Sequence, residues 1–177
     1  MDSVQTVIIM IVRDDNPESF LPSLLENGRV MAEIGCGGGR YCKVLANYSS
    51  VLYCIDIYAE ALKKTEKLLT DSGKTNFKVL TSTSAIKSHT VDLVLFANSF
   101  HDVSEKTQME VEASRILKKL GKIIIVDWRK DSKTLFGPPR AIRLSQEDYM
   151  DYFGDFKVSR TFDSGANHFG LVLERKE

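Results

Sequence analysis

One segment constrains this chain more than any other: a strand that runs directly into a glycine loop. Arg29–Ile34 reads as a buried strand, Gly35-Cys-Gly-Gly-Gly39 follows with no spacer, and Arg40–Tyr48 reads as a helix. Glycine adopts positive φ without steric cost and lets backbone or ligand approach closely. Strand, glycine turn and helix in immediate succession open a βαβ unit.

The alternation continues. Val51–Ile55 reads as a second strand ending in Asp56, and Ala59–Leu69 as a helix with Ala61, Leu62, Thr65, Leu68 and Leu69 on one face. Ser72-Gly73 breaks it. Phe77–Thr81 and Val91–Phe96 are the third and fourth strands. Met109, Ala113, Ile116, Leu117 and Leu120 predict a helix over Glu105–Leu120, with Asp102 or Ser104 as its cap and Gly121 as its stop. Lys122–Trp128, with Ile123-Ile124-Ile125-Val126, is the most apolar strand. Upstream, Asn16-Pro17-Glu18 opens a helix towards Glu26, interrupted by Pro22 and stopped by Asn27-Gly28. Strands alternating with helices predict an α/β fold with a mostly parallel sheet, helices covering both faces.

After Trp128 the pattern changes. Residues 129–144 form a loop around Gly137-Pro138-Pro139, and Ser145-Gln-Glu-Asp148 starts a short helix ending near Gly154. Phe156–Phe162 and His168–Glu174 then read as two strands joined by a turn-rich linker. No boundary is visible after residue 14. The expectation is one domain over 1–177, with residues 1–13 as an N-terminal extension whose run Val7–Val12 is too short to tell strand from helix.

Composition removes several classes. Lys+Arg and Asp+Glu number 24 each, so the zero net charge speaks against a bulk electrostatic grip on nucleic acid or an anionic membrane. The longest apolar run is too short to span a bilayer, and the acid ahead of it does not suit a signal peptide. Cys36, Cys42 and Cys54 fit neither a disulfide framework nor paired zinc spacing, so a reduced, cytoplasmic setting and no metal are expected.

The glycine loop narrows the ligand. A dinucleotide fingerprint starting at Gly35 needs glycine where Arg40 stands, and no Gly-Lys-Ser/Thr follows for a phosphate loop. Glu33 beside the loop repels a phosphate. Asp56 falls 21 positions after Gly35, the distance at which a carboxylate can accept two hydrogen bonds from a ribose diol.

Ala32-Glu33-Ile-Gly-Cys-Gly-Gly-Gly39 with Tyr53-Cys-Ile-Asp56 resembles a class I S-adenosylmethionine-dependent methyltransferase, closest to the small type 11 members. Phe96-Ala-Asn-Ser-Phe-His-Asp102, Val126-Asp-Trp-Arg-Lys130 and His168-Phe-Gly-Leu-Val-Leu173 are similar to a small archaeal branch. The resemblance implies a Rossmann-like, doubly wound sheet of seven strands, the last inserted antiparallel between fifth and sixth. It places Glu33, Gly35, Cys36, Gly37 and Gly39 against the methionine part of S-adenosylmethionine, Asp56 on the ribose and Ile57 on the adenine. Asn98 and Ser99 would line the methyl side. Relatives often carry an acid after the third strand. Here Ser82 and Thr83 stand there, leaving a hydroxyl or a backbone carbonyl to meet the adenine amino group.

Methyl transfer from a sulfonium needs orientation more than a catalytic triad. His101, next to Asp102, is the candidate base; packing beneath the pocket is its alternative role. Phe100, Trp128 and Arg129 are candidate acceptor contacts, with Arg129 and the basic stretch to Arg143 suiting an acidic acceptor. His168 reads as structural, and Cys42 and Cys54 as core. The expected activity is methyl transfer to a small-molecule acceptor by a monomer or homodimer. A non-catalytic S-adenosylmethionine-binding subunit and an NAD(P)-dependent oxidoreductase are the alternatives.

Overall fold

The computed structural model describes residues 14–177, so the expectation for Val7–Val12 lies outside the described residues. Seven strands form one sheet: β1 (Arg29–Ile34), β2 (Ser49–Ile55), β3 (Phe77–Leu80), β4 (Val91–Ala97), β5 (Leu117–Trp128), β6 (Phe156–Phe162) and β7 (His168–Arg175). Their order is β3-β2-β1-β4-β5-β7-β6, with β7 antiparallel to both β5 and β6 and the other pairs parallel. The chain leaves β1 for β2 on one side and reaches β4 on the other. In such sheets the crevice beyond the carboxyl ends of the two strands flanking the reversal receives ligands.

Helices α1 (Pro17–Phe20), α2 (Arg40–Leu45), α3 (Ala59–Asp71), α4 (Lys106–Ile116) and α5 (Gln146–Tyr152) complete the described elements. Alternation along the strands divides the core in two. Met31, Leu93, Leu95 and Val126 face Tyr41, Cys42, Leu45, Leu62 and Leu69 of α2 and α3. Ala32, Ile34, Val94, Phe96 and Ile125 face Ala113, Ile116 and Tyr149 of α4 and α5. Glu33 shares the parity of Met31, which turns its carboxyl towards α2.

The structure bears out the antiparallel insertion and both C-terminal strands. Asn16 caps α1 by accepting the Glu18 N–H at 3.2 Å, and Ser145 and Asp148 cap α5 reciprocally. Four expectations change. The helix from Asn16 gives way after Phe20 to a 3-10 turn over Leu21–Leu24, because Pro22 cannot donate to a helical ladder. α2 ends at Leu45 rather than Tyr48. α4 stops at Ile116, not Leu120: the N–H groups of His89 and Thr90 take the carbonyls of Arg115 (2.9 Å) and Ile116 (3.0 Å), closing the helix. Leu120 is consequently 90% exposed. Neither Asp102 nor Ser104 caps α4. Its first turn is held instead by the Lys106 ammonium, which donates to the carbonyls of His101 (2.9 Å) and Val103 (2.7 Å).

Candidate functional site

The glycine loop crosses the carboxyl end of β1. Gly35 and Cys36 donate their N–H groups to the carbonyl of Ile55 at 2.8 and 2.9 Å, fastening the loop to β2. Gly35, Gly37 and Gly39 all have positive φ, which glycine alone adopts freely. A Cβ on Gly35 would overlap the side chain of Ser99, and one on Gly39 would lie 2.8 Å from Thr65 Oγ1. A Cβ on Gly37 or Gly38 would meet nothing within 4 Å. Two glycines therefore let the loop pack, and two face open space.

That space is a cavity of about 420 Å³. The glycine loop, Glu33 and Lys64 line one part of it, and Asp15, Tyr41, Ala97, Asn98 and Trp128 line the rest. Asp56 is outside this lining and adjoins it through Gly37. Its Oδ2 accepts the Gly37 N–H at 2.8 Å and its Oδ1 the Tyr58 N–H at 2.9 Å. Two backbone donors thus orient the carboxylate and leave each oxygen a lone pair for a further donor. Beside it, Ile57 and Tyr58 are 76% and 69% exposed, an apolar ledge on the surface.

Glu33 is 1% exposed, and its Oε2 has no hydrogen-bond partner among the described residues. Burial pushes its carboxyl well above the usual carboxylate range, negative charge at Cys36 adds to this, and hydrogen bonding from Cys42 and the charge of Arg40 oppose it. An acid in that state holds its proton until a cation arrives.

Asp15 was not legible as a site residue. Its Oδ2 accepts three donors: the Arg40 guanidinium, the Tyr41 hydroxyl at 2.8 Å and Asn98 Nδ2 at 2.7 Å. Arg40 also donates to the Asp15 carbonyl at 2.7 Å, tying the segment before α1 across the cavity to the start of α2. Asn98, at φ 54°, points Nδ2 at Asp15, and its buried Oδ1 has no partner among the described residues. Behind Trp128, Asp14 accepts from His168 Nδ1 at 2.5 Å and from the Asn167 N–H at 2.6 Å. Only the paired acids Asp14-Asp15 ahead of the Asn16 cap hint at this in sequence.

The profile of the methyltransferase-domain family matches residues 32–125. The chain belongs to the type 11 methyltransferase family. A Sulfolobus solfataricus protein described as a type 11 methyltransferase is 42% identical, with 93% of this chain and 94% of that one covered and a TM-score of 0.85. A SAM-dependent methyltransferase from Aquifex aeolicus is 26% identical over 92% of this chain and 90% of its own, with a TM-score of 0.83. A Pyrococcus horikoshii protein at 17% identity, covering 93% of this chain and 90% of that one, shares the fold at a TM-score of 0.75. No curated protein matches the sequence.

Type 11 methyltransferases use S-adenosylmethionine, and the donor set here fits it. The orphaned Oε2 of Glu33 suits the α-ammonium of its methionine part. The lone pairs left on Asp56 suit a ribose diol, and the open faces of Gly37 and Gly38 leave room between the two.

Other expected site residues are placed elsewhere. Ser99 does not line the cavity; its hydroxyl donates to the Ile34 carbonyl at 2.7 Å, bolting the exit of β4 to β1. Phe100 is fully buried among Phe96, Tyr149 and Phe153, so it is no acceptor contact. His101 is buried outside the cavity wall, its Nδ1 at 2.8 Å from Asp127 Oδ1, while Asp127 also accepts the Tyr149 hydroxyl and the Trp128 N–H (2.7 Å). That closed network joins β4, β5 and α5, and it leaves His101 without the access a base needs. Arg129 pairs with Asp163 at 3.1 Å rather than facing the cavity. Of the other cations of the basic stretch, Lys133 is exposed and outside the cavity lining, and three are engaged. Lys130 pairs with Asp148 (2.7 Å), Arg140 donates to the Ser132 carbonyl (2.8 Å), and buried Arg143 donates to the carbonyls of Pro138 and Phe136, both at 2.9 Å. Thr83 is spent on Glu112 at 2.8 Å, while Ser82 is exposed. Trp128 does line the cavity, held between the Gly137 backbone and the His168 ring.

Proposed function

We propose that this protein transfers a methyl group from S-adenosylmethionine to a small-molecule acceptor. The observation that carries the reading is the pair of acids flanking the open glycines, Asp56 fixed by two backbone N–H groups and Glu33 with an unpartnered oxygen. Bound in this cavity, the cofactor supplies an electrophilic methyl on a good leaving group. The residues supply position. Asp56 takes the ribose hydroxyls, Glu33 and the loop take the methionine part, and Ile57 with Tyr58 covers the adenine, with Ser82 at its edge. Holding two reactants in line can contribute on the order of 7–11 kcal/mol, so the absence of His101 from the wall is compatible with catalysis.

The dinucleotide alternative loses support because Arg40 is committed to Asp15 and cannot yield its position to a close pyrophosphate. The test is turnover. The protein is incubated with methyl-labelled S-adenosylmethionine and a pool of small metabolites. The reading expects label in a small product and loss of that label with Asp56→Ala. A pool left unlabelled, or labelled equally by the variant, overturns it.

A further inference from the structure

We propose that the acceptor is a small amine, received through its nitrogen by Asp15 and Asn98. This rests on the reading above, which puts the cofactor over the glycine loop and leaves the β4–β5 end of the cavity for the acceptor.

The wall at that end offers hydrogen-bond acceptors and no free cation among the described residues. Asp15 is almost fully buried, and its Oδ2 is saturated by Arg40, Tyr41 and Asn98. Its Oδ1 accepts nothing from a described residue, although the side chain lines the cavity. The bond from Asn98 Nδ2 to Asp15 fixes the amide orientation, so Asn98 presents its buried Oδ1 as a bare acceptor. Arg40 is paired with Asp15; of the loop's cations, Arg129, Lys130, Arg140 and Arg143 are held by acids and carbonyls elsewhere, and exposed Lys133 does not line the cavity. Lys64, the remaining lysine of the wall, belongs to α3, which packs at the opposite end through the bond from Thr65 to the Gly37 carbonyl (2.8 Å). A carboxylate or phosphate acceptor would be desolvated against a fixed carboxylate and a bare carbonyl oxygen. A nitrogen bearing N–H groups satisfies both.

The chemistry balances without a protein base. The amine sheds its proton to solvent and reacts as the neutral form. Its lone pair forms the N–C bond while the C–S pair leaves with sulfur, so the positive charge moves from sulfur to nitrogen. Asp15 lies where that charge appears and stabilises it as it develops.

The chain has a single tryptophan, and Trp128 lines this wall, so its indole N–H resonance reports occupancy directly. Protein saturated with S-adenosylhomocysteine is titrated separately with n-butylamine, n-butanol and butyrate. The amine is expected to shift the resonance saturably and to bind at least tenfold more tightly than either analogue. Asp15→Asn should remove most of that preference while S-adenosylhomocysteine affinity stays within about twofold. Asn98→Gly, which suits the positive φ, should weaken amine binding if Asp15→Asn fails to fold. Equal binding of the three probes, or preference for butyrate, overturns the acceptor class. So does a loss of S-adenosylhomocysteine affinity in Asp15→Asn as large as the loss for the amine. A wild-type protein that does not bind S-adenosylhomocysteine overturns the underlying reading instead.

Discussion

Replacing Glu33 by glutamine should stabilise the cofactor-free protein at neutral pH while weakening its hold on the cofactor. Glu33 is buried, one oxygen has no partner, and its carboxyl titrates well above the ordinary value of 4.5. In the unfolded chain the group ionises as pH rises through 4.5; in the folded protein it stays protonated. The unfolded state is therefore stabilised over this window and the folded state is not. The loss of stability begins at the unfolded value, grows as pH rises and levels off at the folded one. Each pH unit in the window is worth about 1.4 kcal/mol. Glutamine keeps the shape and cannot ionise. The stability gap between variant and wild type should open from near zero below pH 4.5 at about 1.4 kcal/mol per unit, or about 3–6 °C in Tm for a chain of this size. Urea unfolding of both proteins between pH 4 and 8, without cofactor, measures it. In the wild type, S-adenosylhomocysteine binding should release a proton, because the α-ammonium favours the carboxylate. Calorimetry in buffers of different ionisation enthalpy reads that release, and the variant should lack it. A gap that does not change with pH, or a variant less stable than wild type at pH 7, would refute the reasoning.

Other outcomes follow from the same geometry. Gly38→Ala should keep the wild-type Tm and lose cofactor affinity, since its Cβ meets only open space, whereas Gly35→Ala should lose stability as well, because of its positive φ and the overlap with Ser99. Thermal melts paired with S-adenosylhomocysteine titrations separate the two. Asp127→Asn should cost about 3–5 kcal/mol, since it strips the buried partner from His101, Tyr149 and the Trp128 N–H. Burial disfavours the His101 imidazolium, but Asp127 outweighs it and raises the pKa above 6.5. That part of the stability is present below 6.5 and lost as pH rises through the folded value, so the variant's deficit should be larger at pH 6 than at pH 9. Cys36 lines the cavity while Cys42 and Cys54 are fully buried. A hydrogen bond with Cys42 pulls the Cys36 thiol below its ordinary value, against burial. Alkylation followed by mass spectrometry should therefore find Cys36 modified first, and S-adenosylhomocysteine should slow it.

The half of the site assigned to the cofactor could be read from the chain because its residues are close in sequence. A strand, its glycine turn and the acid ending the next strand fall within 28 residues, the Ile55 carbonyl and the Asp56 carboxylate both accepting N–H groups of the loop. The proposed acceptor half is assembled from distant positions and left no local signature. Asp15 meets Arg40, Tyr41 and Asn98 from 25, 26 and 83 residues away. His101 misled for a related reason. Its place at the end of β4 was right, but whether the ring faced the cavity or the core depended on Asp127 and Tyr149, which come 26 and 48 positions later. The α4 boundary failed because helical spacing of Leu117 and Leu120 carries no record of the carbonyls that His89 and Thr90 remove. The strands were legible from their apolar runs and bounding turn signals, whereas the antiparallel place of the last strand came from the family resemblance and not from those signals.

The central claim, that the cavity beside Glu33 and the glycine loop holds S-adenosylmethionine with Asp56 on its ribose, is tested most directly by calorimetric titration with S-adenosylhomocysteine. The account predicts saturable one-to-one binding in the wild type. It predicts a loss of about a hundredfold in Asp56→Ala, the worth of two hydrogen bonds to a charged acceptor at about 1.5 kcal/mol each. An absence of binding, or equal affinity in a folded Asp56→Ala protein, would contradict it.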